Sequence, residues 1–529
     1  MLCIDKNLNE LFPFMNRLRS ITFIYFFLIT LQSVMAQGNK GLSSQSSSAI
    51  EQKNEDFKGG VQQYNQKFQD FLNEQQRKFD NFRKKQNKKF ADFLEKGRWD
   101  TYERGDSIKR PKERDVQPIV YDKSKDNSHG NEKQQVREVP YEQPILQPKP
   151  LIKENGEMQK YDTFTFYGTK MKVRWGDLAN FKLRDLSGKA LADGYRILTA
   201  DKYNNLLSDC LNLREGYTLC DWAYYKMLEA LAETVCGKKS KEAVFLQGVL
   251  YQQSGYTMRF AIDRKDMKLQ LLVKIKGVAY GYQPIPVNGN IFYSFGSKDN
   301  HPLEVCDMTY KDEQDMQMNI GELPRLDFNL TEMKTRKSES FNVNVTSAVN
   351  KNLLEFMKDY PTTYDGRDMM TRWAYYANTS ASEEVRYTVY SQLKEKLKDV
   401  DELQAVNWLL NWVQTGFEYE LDEKLWGQDR AFFAEETLFY PFSDCEDRAI
   451  LFSRLVRDLV GLDVVLVYYP GDPAHLSTAV CFKNHVEGYH HDLNGKIFVV
   501  ADPCYIRAGV GRMMPDYIGT EGKVILLSR

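Results

Sequence analysis

The chain has 529 residues, with 72 Lys and Arg against 73 Asp and Glu and only six His. A net charge of −1 gives no footing for nucleic-acid binding, and so few histidines exclude a metal-rich protein. Aromatic residues make up 13%, which suits folded cores, and the length predicts about three to four domain-sized pieces.

Ile21–Leu31 is a short apolar run after Arg17 and Arg19, and Val34-Met35-Ala36 offers a small-residue cleavage site. Residues 1–36 therefore read as a secretory signal peptide. The run is too short for a comfortable membrane span, and Met15 is an alternative start. The expectation is a soluble, exported protein, periplasmic or secreted. Beyond the signal lie Cys210, Cys220, Cys236, Cys306, Cys445, Cys481 and Cys504, an odd number that predicts at least one free thiol. Pairing among Cys210, Cys220 and Cys236 stays open, and Cys481 or Cys504 lies close enough in sequence to trap Cys445.

A polar segment, 37–50, is expected to be disordered. In 51–109, Lys67-Phe68-Gln69-Asp70-Phe71 recurs around Phe79 and Phe82 and again around Phe90 and Phe93, and Phe57 extends the column back. The period is eleven residues, close to three helical turns, so the phenylalanines form one slowly drifting stripe on an amphipathic helix. The helix either lies on the chain's own domains, self-associates as a coiled coil, or docks on a partner or membrane surface. Its lysines favour an anionic surface only slightly. Residues 110–155, with Pro111, Pro118, Pro140, Pro144, Pro148 and Pro150 among polar neighbours, read as an extended linker separating that helix from everything downstream.

Residues 156–325 read as an α+β domain. Strands are expected at Thr163–Tyr167 and Met171–Trp175, helices at Lys202–Leu211, Asp221–Val235 and Glu242–Leu250, then strands at Thr257–Ile262 and Leu269–Ile275. Residues 326–350 alternate at Leu326–Leu330 and Phe341–Val345, a connecting strand pair. Their Asn329-Leu330-Thr331 and Asn344-Val345-Thr346 sequons read as accidental.

The domain at 351–529 carries the chemistry. Glu402–Thr415 is patterned as a helix with Leu403, Val406, Leu409, Leu410 and Val413 on one side. Ser443 and Glu446 fit a capping box, and apolar Ile450, Leu451, Leu455, Val456 and Leu459 continue a helix to Gly461. Cys445 then falls in the first turn, where the helix terminus favours a thiolate. Val464–Tyr469 and His475–Phe482 are strands around a Pro470–Pro473 turn, and Ile497–Val500 leads to Asp502-Pro503. A thiol needs a base, and an imidazole needs a carboxylate to fix its tautomer. Cys445, His475 and Asp502 supply nucleophile, base and orienting group. An oxyanion hole would use the Cys445 N–H and a side chain from the Asp422–Phe442 loop, with Trp426 and Gln428 as candidates. His490-His491-Asp492 is expected in a loop without spaced partners, so no metal site and no cofactor is predicted.

Asp444-Cys445-Glu446-Asp447, the strand-opening His475 and Asp502-Pro503 resemble the transglutaminase-like superfamily of papain-related fold, and most of all its bacterial cysteine-peptidase branch. The resemblance covers roughly Tyr360–Asp516, and Leu476 stands where many relatives carry an aromatic residue. It implies a peptidase or amidase with a Cys-His-Asp triad and places the Glu402–Thr415 helix behind the catalytic one. A shift of 206 residues lays Gly255 on Gly461, with Lys239 at the cysteine and Leu269 at the histidine, so residues 156–325 read as a degenerate copy without nucleophile or base. The expected function is an exported acyl-transfer enzyme acting on amide bonds of proteins or peptides, hydrolysis favoured. The alternatives are amine cross-linking, or a non-catalytic assembly protein working through the Phe57–Phe93 helix and the degenerate copy.

Overall fold

The computed structural model describes residues 44–110, 116–125, 132–142, 150, 152–156, 159–297 and 299–528. The signal peptide, Met15, Pro111, Pro144 and Pro148 lie outside them. The chain is mixed helix and sheet, the α+β class expected. It divides into two compact units, 1–78 and 79–529.

Helix α1 spans Ser44–Lys96 and so begins inside the segment expected to be disordered. Its sequence is free of proline and rich in Gln, Glu and Lys, all good helix formers. In the 1–78 unit, Gln66 donates to Asp70 and Lys78 pairs with Glu74 one turn apart. From Phe79 on, the helix is part of the larger unit's core. Phe90 is fully buried with its ring 4.8 Å from Tyr195. Asn87 Oδ1 accepts from the hydroxyls of Tyr195 and Tyr310, and Arg83 donates to Asn204 at 2.6 Å. Of the readings open in the sequence, the last turns of α1 realise the first, helix on its own domain.

Two sheets follow, each beside a helix pair. Strands β1 Asp100–Tyr102, β2 Ile119–Val120 and β3 Val136–Glu138 come from the region expected to be α1's tail and a free linker. Then come helices α2 Asp221–Cys236 and α3 Lys241–Gln253 and strands β4 Met258–Asp263, β5 Lys268–Val273, β6 Ile285–Val287, β7 Asn290–Phe292 and β8 Leu303–Cys306. Later come helices α4 Glu402–Thr415 and α5 Cys445–Leu455, and strands β9 Asp463–Tyr469, β10 His475–Cys481, β11 His490–Leu493, β12 Lys496–Val500, β13 Tyr505–Ile506 and β14 Gly522–Leu526. The linker expectation is corrected here. β3 closes the C-terminal sheet beside β14 in parallel, and β2 pairs in parallel with β13. Such two- and three-residue strands carry no periodicity of their own and exist because a neighbouring strand completes their hydrogen bonds.

The C-terminal sheet runs β11-β12-β10-β9-β14-β3. Its centre, β9, is Asp-Val-Val-Leu-Val-Tyr-Tyr, β-branched and buried along almost its whole length, as a strand covered on both faces must be. The first sheet runs β1-β8-β4-β5, and a bridge from Val273 to Tyr293 carries it on to the β7–β6 hairpin. The two orders are the same. So is much of the register: His491 faces Phe498 as Ile285 faces Phe292, and Val467 faces Val524 as Ala261 faces Val305. Tyr469 faces His475 as Asp263 faces Lys268, so the turn between the first pair of strands is one residue shorter in the earlier sheet. The position matching His475 is therefore Lys268 and not Leu269. Both helices that precede these strands end before a glycine with positive φ, Gly255 and Gly461.

Between the sheets, the connecting pair is Lys334–Lys337 with Asn344–Ser347. The first of these is displaced from the expected Leu326–Leu330, whose Phe328 and Leu330 are exposed. No helix among the described residues is long and apolar enough to cross a membrane.

Candidate functional site

Cys445 is the first residue of α5, and its cap is Asp444, one residue later than the sequence suggested. Asp447 accepts the Asp444 N–H at 3.4 Å and the Phe432 N–H at 2.8 Å, so the box is Asp444/Asp447. Ser443 cannot serve as the cap because it ends a short strand pairing with Glu418–Tyr419, and its hydroxyl accepts from Arg448 Nε at 3.2 Å. Arg448 is buried and also donates to the carbonyls of Gln414 and Phe417, tying the start of α5 to the end of α4.

His475 opens β10, against which α5 packs. Its Nε2 lies 2.7 Å from Asp502 Oδ2, so the structure joins the base and carboxylate named from the sequence. Asp502 Oδ1 accepts the Cys504 N–H at 2.9 Å, leaving Oδ2 for the imidazole. Gln414, on α4, donates its amide to the carbonyls of Asp502, Tyr505 and Ala508 and accepts the Arg507 N–H. One side chain thus fixes the loop that carries the carboxylate. The imidazole is flanked by Tyr517, with ring centres 5.1 Å apart, and by Tyr469. Its Nδ1 is buried with no hydrogen-bond partner among the described residues.

The thiol is held differently. Cys445 Sγ donates to Glu446 Oε2 at 3.2 Å, so in this arrangement sulfur carries its proton toward a carboxylate. Cys445 is 1% exposed, His475 0% and Asp502 3%, so the site is closed to solvent. Trp426 packs edge-on to Tyr440 and Phe432 with the Arg430 guanidinium 4.5 Å over its ring, and its indole N–H has no partner among the described residues. Gln428 is exposed. Neither oxyanion candidate is hydrogen-bonded to Cys445, His475 or Asp502 among the described residues.

No disulfide joins any two of the seven cysteines among the described residues, so none of the pairings left open is made. Burial pushes Cys220 and Cys306 up to about 12 and Cys236 up to about 11, which makes them inert at neutral pH. Three sets of side chains bring possible metal-ligand atoms together: Asp263, Asp266 and His301; Asp422, Asp444 and Asp447; and Asp422, Asp429 and Glu446. Protein groups already meet these acids. Asp263 contacts His301, Asp422 takes the Arg430 N–H, and Arg372 pairs with Asp429. Burial and the neighbouring Asp422 charge hold Asp447 well above the usual carboxylate range. His490–Asp492 is strand, not loop, and His491 spends its ring on Tyr469 and the Gln134 carbonyl.

Sequence reasoning missed Glu446 as the thiol's acceptor and Gln414 as the clamp. In the sequence the first reads as the capping partner of Ser443. The second lay in a helix patterned for packing, on its polar side. No family model matches the chain, and no curated protein or solved structure matches it either.

Proposed function

We propose that this chain is an exported cysteine-dependent acyl-transfer enzyme acting on amide bonds of proteins or peptides. The observation that carries the reading is the His475–Asp502 bond through Nε2, which leaves Nδ1 as the one ring nitrogen able to take a proton from a thiol. With Asp502 fixing the tautomer, His475 Nδ1 removes the Cys445 proton once the thiol turns from Glu446. The thiolate attacks the amide carbonyl, the amine leaves with the proton from His475, and water then cleaves the thioester. The place of Cys445 at the start of α5 supports this, since the helix terminus stabilises the anion. The buried site also excludes water until substrate enters. Hydrolysis is the favoured outcome because the amine route needs a second, protected acceptor site. On this reading the finer fold is the papain-related, transglutaminase-like one. Residues 156–325 are a degenerate copy, supported by the shared strand order and register, with Lys268 at the base position.

The thiol's bond to Glu446 favours a second reading, a non-catalytic binding or assembly protein. One experiment decides. Wild-type protein and Cys445→Ala are each incubated with glutamine-containing peptides, with and without a primary amine. The enzyme reading predicts fragments or ammonia from wild type only, in either condition, with a transient thioester on Cys445 seen by mass spectrometry. Amine incorporation would make it a transferase. Equal turnover by Cys445→Ala, or no thioester at all, would contradict the proposal.

A further inference from the structure

A segment from far upstream is bound next to the site. Val116 donates its N–H to the carbonyl of Ala474, the residue before His475, at 3.0 Å. Its own carbonyl accepts from the Tyr419 hydroxyl at 2.6 Å, and Tyr419 pairs in register with Ser443, two residues before Cys445. Three residues on, Ile119 and Val120 pair in parallel with Tyr505 and Ile506, just past Asp502, and Tyr121 donates to the Ile506 carbonyl at 2.8 Å. The segment 116–121 therefore bonds the residue before His475 and the strand just past Asp502, and it is linked toward Cys445 through Tyr419. Two side chains anchor it: Val116, buried, and Tyr121, edge-on to Tyr505 at 5.6 Å under Arg512. Ile119 and Val120 point outward and are exposed.

This is how an added strand is bound: main-chain hydrogen bonds along an exposed rail, with specificity left to a few side chains. Two anchors and a handful of backbone bonds hold it, so its release costs far less than unfolding the sheets beneath. We propose that Val116–Tyr121 is a resident occupant of a polypeptide-binding groove formed by Ala474, Tyr419 and Tyr505–Ile506, and that an extended polypeptide replaces it there to reach Cys445. The inference rests on the proposed function, and names both the substrate's form and the gate that admits it. Cys445, His475 and Asp502 are nearly inaccessible because the groove is filled from within the same chain.

The test is iodoacetamide labelling of the full chain at about pH 9.5, where an ordinary thiol ionises without help from a base. Labelling there reports access and is indifferent to whether the triad works, so failure of this inference and failure of the enzyme reading are separable. Val116→Pro removes the N–H bound by Ala474, and Tyr121→Ala removes the other anchor. Both variants should label at Cys445 about tenfold faster than wild type, while Cys210, Cys236 and Cys306 stay protected, which shows the fold is intact. The octapeptide Val-Gln-Pro-Ile-Val-Tyr-Asp-Lys, the chain's own 116–123, should slow Val116→Pro labelling back toward wild type. Unchanged labelling in both folded variants would overturn the gate. Faster labelling that the peptide does not slow would overturn the groove as a polypeptide site.

Discussion

In both sheet regions a helix ends at a positive-φ glycine, two antiparallel strands follow, and four further strands take the same places around them. The contents of the two sites differ. In the C-terminal region, Cys445, His475 and Asp502 are buried, and Val116–Tyr121 is hydrogen-bonded to the neighbouring Ala474 and Ile506. In the earlier region the same place is a cavity of about 590 Å³ lined by Tyr225, Lys239, Lys241, Lys268, Gln270 and Gly296. There Lys239, just before α3, stands at the position of Cys445, and Lys268 faces Asp263 where His475 faces Tyr469. The lesson is that this framework is held by strand pairing and core packing, which tolerate any residue at the mouth of the site. The proposed chemistry rests on side chains at three positions, not on the backbone pairing that the two regions share.

The sharpest way to break the comparison is by activity. Cys445→Ala should cut amide turnover by ~10³-fold or more, while Lys268→Ala leaves it within about twofold; an equal loss from both would mean the earlier region takes part in the chemistry. Next in size is the support that the earlier region receives from the last turns of α1. Phe90→Ala empties a buried site between Tyr195 and Tyr310 and should cost about 3–5 kcal/mol, read by urea unfolding. A loss near zero would mean the helix does not brace that region.

A third contrast lies at matching positions in the two sheet edges, His491 and Ile285. Burial pushes His491 down to about 4 from 6.5. The folded state holds it neutral while the unfolded chain takes up a proton, so its stabilisation is complete above about pH 6.5 and is lost as pH falls toward 4. His491→Ile should flatten the stability–pH curve in that window by about 3 kcal/mol, and an unchanged slope would show that His491 is not buried neutral. The smallest effect concerns Gln414. Gln414→Leu leaves three carbonyls of the Asp502 loop without their donor and should cost about 1–3 kcal/mol. It should also slow Cys445 labelling at pH 6, which a merely structural clamp would not do.

The sheet strands at 463–469, 475–481 and 496–500 and the helix at 402–415 were legible because alternation and helical spacing mark them locally. Order and chemistry together also picked out His475 and Asp502, which prove to be hydrogen-bonded. What was hidden depends on partners distant in sequence. Ser443/Glu446 and Asp444/Asp447 both fit a capping box, and the choice is made by Arg448 claiming the Ser443 hydroxyl. Phe79 and Phe90 occupy the same column of one repeat, yet Phe90, packed against Tyr195 and Tyr310, is fully buried while Phe79 is only partly so. Pro118-Ile119-Val120 reads as linker because its strand character is supplied by Tyr505–Ile506. The Cys445 thiol's bond to Glu446 follows from side-chain geometry that no spacing encodes.

The most direct test of the account is the rate of iodoacetamide labelling at Cys445 between about pH 5 and 9, measured in the Val116→Pro background with and without His475→Ala. A thiolate–imidazolium pair predicts fast labelling below about pH 7 that His475→Ala slows by tenfold or more. Labelling that follows an ordinary thiol's pH dependence, whether or not His475 is present, would contradict the central claim that these residues form a working triad.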